Sequence, residues 1–256
     1  MATDPAAEKA EISLSDHSHQ GTSPGAEPRA TLNTQPATLS PMLVAEAVGA
    51  YGLVFAGCGA IMIDKISHGQ VTHVGVGLVF GLIIAAMISA FGHISGAHFN
   101  PAVTLGFVLA RHLPLNRLWA YWGAQLVGAI LAAATLRLLL GNVAHLGSTL
   151  PAGSPWQSAG FELLLTAGLM IVIMAVATDT RAVGQAAAFA IGATVGLEAI
   201  FAGPISGASM NPARSLGPAL VSGTWTDQWI YVIAPLVGAA LGALLYRWIR
   251  VTSSGS

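Results

Sequence analysis

The sequence predicts an all-α membrane protein in which six transmembrane helices and two re-entrant half-helices form an inverted repeat. Three observations lead to this prediction: a very low content of charged residues, six apolar stretches long enough to cross a bilayer, and a duplicated motif. Of the 256 residues, 54% are hydrophobic and 8% are charged, and the mean hydropathy is +0.68. Because a soluble domain carries about 25% charged residues, a water-facing surface is hard to build from this chain.

Composition also narrows the classes of function. The net charge of -1 provides no basic field for a nucleic-acid partner. The single cysteine, Cys58, excludes an intrachain disulfide. No nucleophile–base set and no dense cluster of metal ligands stands out, so we predict no enzyme, no cofactor and no metal site.

The chain divides into a membrane domain and two tails. Residues 1–40 are rich in Ala, Ser, Thr, Pro and Glu and lack a periodic apolar pattern, which predicts a disordered N-terminal tail. No basic region followed by an apolar run begins the chain, so no cleavable signal peptide is predicted. We expect the membrane domain over 41–250, one repeat at about 41–140, the second at about 156–250, and a short C-terminal tail at 251–256.

The transmembrane helices follow from length and apolarity, because a crossing helix needs about 20 mostly apolar residues. Six stretches qualify, at 41–63, 71–91, 118–140, 158–177, 184–203 and 228–249. Two shorter apolar stretches, near 101–109 and 212–220, cannot cross. They predict half-helices that enter and leave on one side, surrounded by protein or by a watery cavity.

Basic residues in the short loops predict the orientation of the bundle. One side of the six-span layout holds Arg111, Arg117, Arg181, Arg247 and Arg250, and the other side holds Lys65 and Arg137. The excess of positive charge belongs to the cytoplasmic side. Both termini are therefore expected in the cytoplasm.

The two halves of the chain repeat each other. SGAHFNPA at 95–102 parallels SGASMNPA at 206–213. The further matched pairs are Glu46 with Glu162, Gly77 and Gly81 with Gly192 and Gly196, and QLVGAILA at 125–132 with PLVGAALG at 235–242. Three spans per repeat is an odd number, so the second repeat inserts from the opposite side and the half-helix N-termini meet near the midplane.

Two sets of matched residues have a predicted role in the scaffold. The Gly-x-x-x-Gly pairs favour a close crossing of the second and fifth spans. Glu46 and Glu162 are acids within apolar spans. They are either proton-relay groups or acceptors for backbone N–H groups of the re-entrant loops, and their symmetric placement favours the second interpretation. Glu198 has no acidic repeat partner, and the sequence assigns it no role.

The two Asn-Pro-Ala triplets combine a helix start with a hydrogen-bond donor. Pro101 and Pro212 suit the first helical position, so Asn100 and Asn211 are expected as N-caps. If each side-chain oxygen caps the helix, each NH₂ group is left as a donor for the oxygen of a passing water or hydroxyl. The two facing half-helix N-termini each carry roughly half a positive charge, which disfavours cations and protons.

Residues next to the triplets complete the candidate site. Arg214 is an ionisable residue at membrane depth, hence a functional candidate; the other interpretation is a structural arginine that holds loop carbonyls. The segments before the half-helices are expected to be extended and to line the path with carbonyl oxygens. These residues are Gly96, Ala97 and His98 in the first repeat and Gly207, Ala208 and Ser209 in the second.

These motifs, GHISGAHFNPAVT at 92–104 and SGASMNPARSLGPA at 206–219, give the chain a resemblance to the aquaporins, or major intrinsic proteins, over about 41–250. RHLPLNRLWAYWGAQLVGAILAAATLRLLLG and VATDTRAVGQAAAFAIG are similar to the nodulin-like branch and its bacterial relatives. The resemblance implies a right-handed six-span channel, a homotetramer with four pores in a plasma or inner membrane, and an outer aromatic/arginine constriction.

By their spacing from the triplets, the family's four constriction positions correspond here to Phe80, Ala199, Ala208 and Arg214. Water-selective members typically place His at the position of Ala199, and nodulin-like members often carry Trp at that of Phe80. A methyl group in place of an imidazole widens the constriction, and Phe80 is expected as an apolar wall opposite Arg214. The resemblance therefore implies a channel for water, glycerol-like polyols and metalloid hydroxides that excludes protons and ions.

Three other functions remain open at this point: a strictly water-selective channel, a secondary transporter of small solutes, and a structural junction protein. Inverted repeats with broken helices also serve transporters. The midplane residues here are amides rather than acids, which argues against coupling to Na⁺ or H⁺.

Overall fold

The computed structural model describes residues 39–178 and 186–253. The described part leaves out most of the predicted N-terminal tail, up to residue 38, and residues 254–256 of the C-terminal tail. It also leaves out Arg181, one of the basic residues that predict the orientation. Within it the α-helices are α1 Leu39–Ile66, α2 Thr72–Ser95, α3 Pro101–Leu109, α4 Leu118–Leu140, α5 Pro155–Thr178, α6 Ala187–Ser206, α7 Pro212–Ser222 and α8 Ile230–Ser253. Short 3₁₀ turns lie at Leu115–Arg117 and Ala144–Gly147.

Six of these helices are long and apolar enough to cross a membrane, and two are not, which confirms the predicted fold class. The helices extend beyond the apolar stretches, since α1 begins at Leu39 inside the predicted tail and α2 continues to Ser95. α2 and α6 both end on a left-handed glycine, Gly96 with φ 85° and Gly207 with φ 86°. A glycine in this conformation is a common helix stop, and here it turns the chain into each re-entrant loop.

The two repeats interlock through their half-helices. In the first repeat α1 packs on α2 and α4, and in the second α5 packs on α6 and α8. Half-helix α3 lies against α8 of the other repeat, and α7 lies against α4. Each half-helix is therefore enclosed by the opposite repeat, which satisfies the requirement that a helix end at membrane depth be covered by protein.

The predicted close crossing of the second and fifth spans is present between α2 and α6. A Cβ atom added at Gly81 would lie 2.6 Å from the Gly192 carbonyl oxygen, and one added at Gly192 would lie 2.5 Å from the Gly81 carbonyl oxygen. Real Cβ atoms do not approach backbone this closely. The crossing therefore requires glycine on both helices.

Candidate functional site

Each re-entrant loop runs from a glycine helix stop to the Asn N-cap of a half-helix. Asn100 is extended, with φ -155° and ψ 121°. The segment before it is not extended throughout, because Ala97 and Phe99 both have a φ of 51°. The loop therefore holds three left-handed residues, Gly96, Ala97 and Phe99, before the extended Asn100, which corrects the expectation of an extended segment. The second loop has the same pattern, with left-handed Gly207, Ala208 and Met210 before the extended Asn211.

Glu46 lies at the centre of the first loop's hydrogen bonds. It is completely buried and accepts from the backbone N–H groups of His98 at 2.9 Å and Phe99 at 2.7 Å. It also accepts from the Ser95 hydroxyl at 2.7 Å and from Gln125 Nε2 at 2.8 Å. Four donors thus converge on one carboxylate, which ties the loop to α1 and α4.

Glu162 makes the corresponding contacts in the second loop. It is completely buried and accepts from the backbone N–H groups of Ser209 at 2.8 Å and Met210 at 2.7 Å. The Ser206 hydroxyl donates to it at 2.9 Å. The backbone donors match those of Glu46, so the repeat extends to the hydrogen bonds of the loops.

The two Asn amides cap their own half-helices and also bond to the opposite loop. Asn100 Oδ1 accepts from the Ala102 N–H at 2.8 Å, and its Nδ2 donates to the Met210 carbonyl at 2.8 Å. Asn211 Oδ1 accepts from the N–H groups of Ala213 and Arg214, and its Nδ2 donates to the Phe99 carbonyl at 2.9 Å. One N–H of each amide is therefore occupied, and each amide has a second N–H donor.

Sequence reasoning missed three residues that support this arrangement. Gln125 donates through Nε2 both to Glu46 and to the Thr104 hydroxyl. Thr104 in turn donates to the Asn100 carbonyl at 2.9 Å. The signal for Gln125 was a polar residue inside an apolar span. Gly147, described below, had no comparable signal.

A cavity of about 580 Å³ passes these loops and both Asn side chains. One side is apolar and is formed by the spans, with Leu53, Ile84, Leu169, Ile173, Ile191 and Val195. The other side is formed by the loops and carries most of the polar groups. The predicted residues on the cavity wall are Phe80, Gly96, Ala97, His98, Asn100, Ala199, Ala208, Ser209, Asn211 and Arg214. Gly207 does not line this cavity.

Phe80, Ala199, Ala208 and Arg214 all line the cavity, although they come from three separate segments. Arg214 is 3% exposed, and its Nη1 donates to the Gly147 carbonyl at 2.8 Å. Its guanidinium carbon lies 4.9 Å from the centre of the Phe80 ring, within cation–π range. The two side chains that were predicted to form part of the constriction are therefore in contact with each other on the cavity wall.

The remaining predicted residues have local partners. The His98 ring stacks on Phe107, with centroids 4.3 Å apart, and its Nδ1 lies 3.2 Å from the Thr104 hydroxyl. Glu198 is 9% exposed and its Oε1 lies beside Gly168 of α5. Its Oε2 has no hydrogen-bond partner within the described residues, and it does not line the cavity.

Six spans enclosing two half-helices that meet on paired Asn side chains, with a cavity passing that point, define a membrane channel of the aquaporin type. Comparison with known proteins agrees with this class. The sequence profile of the family described as "Major intrinsic protein" matches residues 34–246. The chain belongs to the major intrinsic protein family.

Curated relatives place it near the nodulin-like members. The chain is 52% identical over 212 residues to "Aquaporin NIP1-1" of Oryza sativa subsp. japonica, covering 82% of this chain and 75% of the relative. It is 50% identical over 211 residues to "Nodulin-26" of Glycine max, covering 82% and 78%. Among solved structures, the aquaglyceroporin from Plasmodium falciparum has the same fold, with a TM-score of 0.76, 24% identity, and coverage of 82% of this chain and 96% of that one.

Proposed function

We propose that this protein is a passive channel for water and for small neutral solutes, namely glycerol-like polyols and metalloid hydroxides. The observation that carries the proposal is the wall of the cavity near Arg214. A buried guanidinium lies over an aromatic ring there, while the side chains of Ala199 and Ala208 are only methyl groups.

The chemistry of this wall favours solutes with one polar side and one apolar side. The guanidinium of Arg214 keeps donors beyond the one that bonds Gly147, and these suit the hydroxyl oxygen of a polyol or a metalloid acid. Phe80 and the apolar side of the cavity suit the C–H groups of a polyol. An imidazole at position 199 would fill this space, and the methyl group of Ala199 leaves it open.

The paired Asn side chains have a role for every solute. Their remaining N–H groups donate to the oxygen of water or of a hydroxyl, and the half-helix N-termini behind them repel cations and protons. The carbonyls before each half-helix then offer acceptors in file. No hydrogen bond within residues 39–178 and 186–253 uses the carbonyls of Gly96, Ala97 and His98, which leaves these oxygens for the solute.

Assembly and location are part of the same proposal. Large apolar side chains on α2 and α6 face outwards, including Leu78, Leu82, Leu197 and Phe201, each more than half exposed. Such faces suit contact with lipid and with neighbouring copies in a homotetramer. A plasma or inner membrane with both termini in the cytoplasm fits the distribution of basic residues.

Osmotic swelling of proteoliposomes tests the proposal. Wild-type protein should accelerate the flux of water, glycerol and boric acid without any ion gradient. Ala199→His should reduce glycerol flux much more than water flux, because the added ring fills the space beside Arg214. Arg214→Ala should lower the discrimination against ions, since it removes the positive group on the wall.

The results that would contradict the proposal differ for its parts. No acceleration of water flux by an intact oligomer would exclude the channel. Glycerol flux that is absent in the wild type, with normal water flux, would instead indicate a strictly water-selective channel. Flux that depends on an ion gradient would indicate a secondary transporter.

A further inference from the structure

We propose that Gly57 of α1, which does not line the cavity, positions the Phe80 ring and thereby sets the width of the constriction. This inference rests on the function proposed above. Gly57 is buried in α1 and is absent from the cavity wall. A Cβ atom at Gly57 would overlap three carbons of the Phe80 ring, Cδ1, Cε1 and Cζ. The ring therefore occupies the space that any side chain at position 57 would need.

The Phe80 ring contacts α1 at Gly57 and also lines the cavity. The Arg214 guanidinium lies over the ring, 4.9 Å from its centre. A side chain at position 57 would therefore displace the ring away from α1 and towards the path of the solute.

Arg214, the other neighbour of the ring, is itself held by a hydrogen bond. Its Nη1 donates to the Gly147 carbonyl at 2.8 Å, and Gly147 is pressed against Cys58 of α1. A Cβ atom at Gly147 would lie 2.8 Å from Cys58 Cβ, and the φ of Gly147 is 70°. Consecutive residues of α1 thus limit both sides of the Phe80–Arg214 contact.

The second repeat shows that the glycine is not a requirement of the helix itself. Gly57 stands eleven residues after Glu46, and Ile173 stands eleven residues after Glu162. Phe80 stands three residues after Gly77, and Val195 three residues after Gly192. In the first repeat the larger side chain of the pair is Phe80, on the second span. In the second repeat it is Ile173, on the first span. Small residues in membrane helices allow a neighbouring group to approach closely, and at position 57 that group is the Phe80 ring.

The test compares Gly57→Ala with Gly59→Ala in proteoliposomes. Gly59 is buried on the same helix, but its added Cβ would meet only the end of Leu136, at 3.3 Å. Gly57→Ala should lower the ratio of glycerol to water permeability by about tenfold, the low end of what one added methyl group does in a close-fitting pocket. Gly59→Ala should leave this ratio unchanged.

A double variant shows whether the effect passes through the ring. In the Phe80→Val background, Gly57→Ala should no longer change the permeability ratio, because nothing is left for the methyl group to displace. If Gly57→Ala alone does not assemble, as judged by size-exclusion chromatography, recovery by Phe80→Val supports the contact and continued failure overturns it.

The outcomes separate this inference from the proposed function. Absence of glycerol flux in the wild type contradicts the proposed solute range, whatever Gly57 does. Glycerol flux in the wild type with an unchanged ratio in Gly57→Ala overturns the role of Gly57 alone. The role of Gly57 is also overturned if Gly57→Ala lowers the ratio of glycerol to water permeability equally in the wild type and in the Phe80→Val background. The methyl group would then act without the ring.

Discussion

Replacing Glu46 by Ala tests the hydrogen-bond network that holds the first re-entrant loop. The change removes the acceptor of the His98 and Phe99 backbone N–H groups, both of which are buried. A buried donor without a partner costs about 1–3 kcal/mol, so the two together cost about 2–6 kcal/mol. Folded proteins are stable by about 5–15 kcal/mol, so the loss is large enough to see as a lower thermal midpoint in detergent.

Glu162→Ala is the matched comparison from the other repeat. It also leaves two backbone N–H groups without an acceptor, those of Ser209 and Met210. Only Glu46 has a further donor in Gln125, because Pro235 takes the matching position in the second repeat. A hydrogen bond to a charged group contributes about 1.5–3 kcal/mol. Glu46→Ala should therefore be the more destabilising of the two by about that amount.

The assay has two readouts, thermal unfolding of the purified oligomer and water flux in proteoliposomes. Both variants should lose flux along with stability, because the loops that carry the Asn side chains lose their support. Stability within about 0.5 kcal/mol of the wild type, typical of a neutral surface change, would refute the reasoning. Unchanged stability with a loss of proton-driven transport would favour the proton-relay interpretation of these acids.

Two further predictions concern groups away from the cavity. Glu198→Met removes a buried carboxylate oxygen that has no partner in the described residues. It should stabilise the protein by about 1–3 kcal/mol and leave water flux unchanged. A lower thermal midpoint would show that Glu198 has a partner in the assembled protein. Burial, with a smaller contribution from Arg250, lowers the pKa of His112. The unfolded chain then binds this proton more readily than the folded one, so stability should fall as the pH drops below about 6.5; an equal fall in His112→Gln would assign the effect to another group.

Most of the fold follows from local features of the sequence. Hydrophobicity and length define each span because every helix that crosses a bilayer needs its own stretch of mostly apolar residues. Pro101 and Pro212 mark the start of the half-helices, because a helix start depends on a few adjacent residues. The repeat adds the inversion, because an odd number of spans reverses the side of entry.

The contacts of the site depend on residues that are far apart in the chain. Asn100 and Asn211 were identifiable as caps, but their bonds to Met210 and Phe99 join positions more than a hundred residues apart. Whether an amide N–H faces the solute or an opposite carbonyl is decided only when the two loops meet.

The six spans, their inverted repeat, the paired Asn caps and the arginine after the second triplet can all be predicted from the sequence, because each depends on a short stretch of adjacent residues. The contacts of Arg214 and Phe80 depend instead on residues from separate segments: Arg214 donates to the Gly147 carbonyl and lies against Phe80, and Phe80 occupies the space left by Gly57. Such contacts cannot be read from short stretches, because they depend on how closely separate helices pack, as where the absence of a Cβ atom at Gly57 of α1 leaves room for a ring of α2.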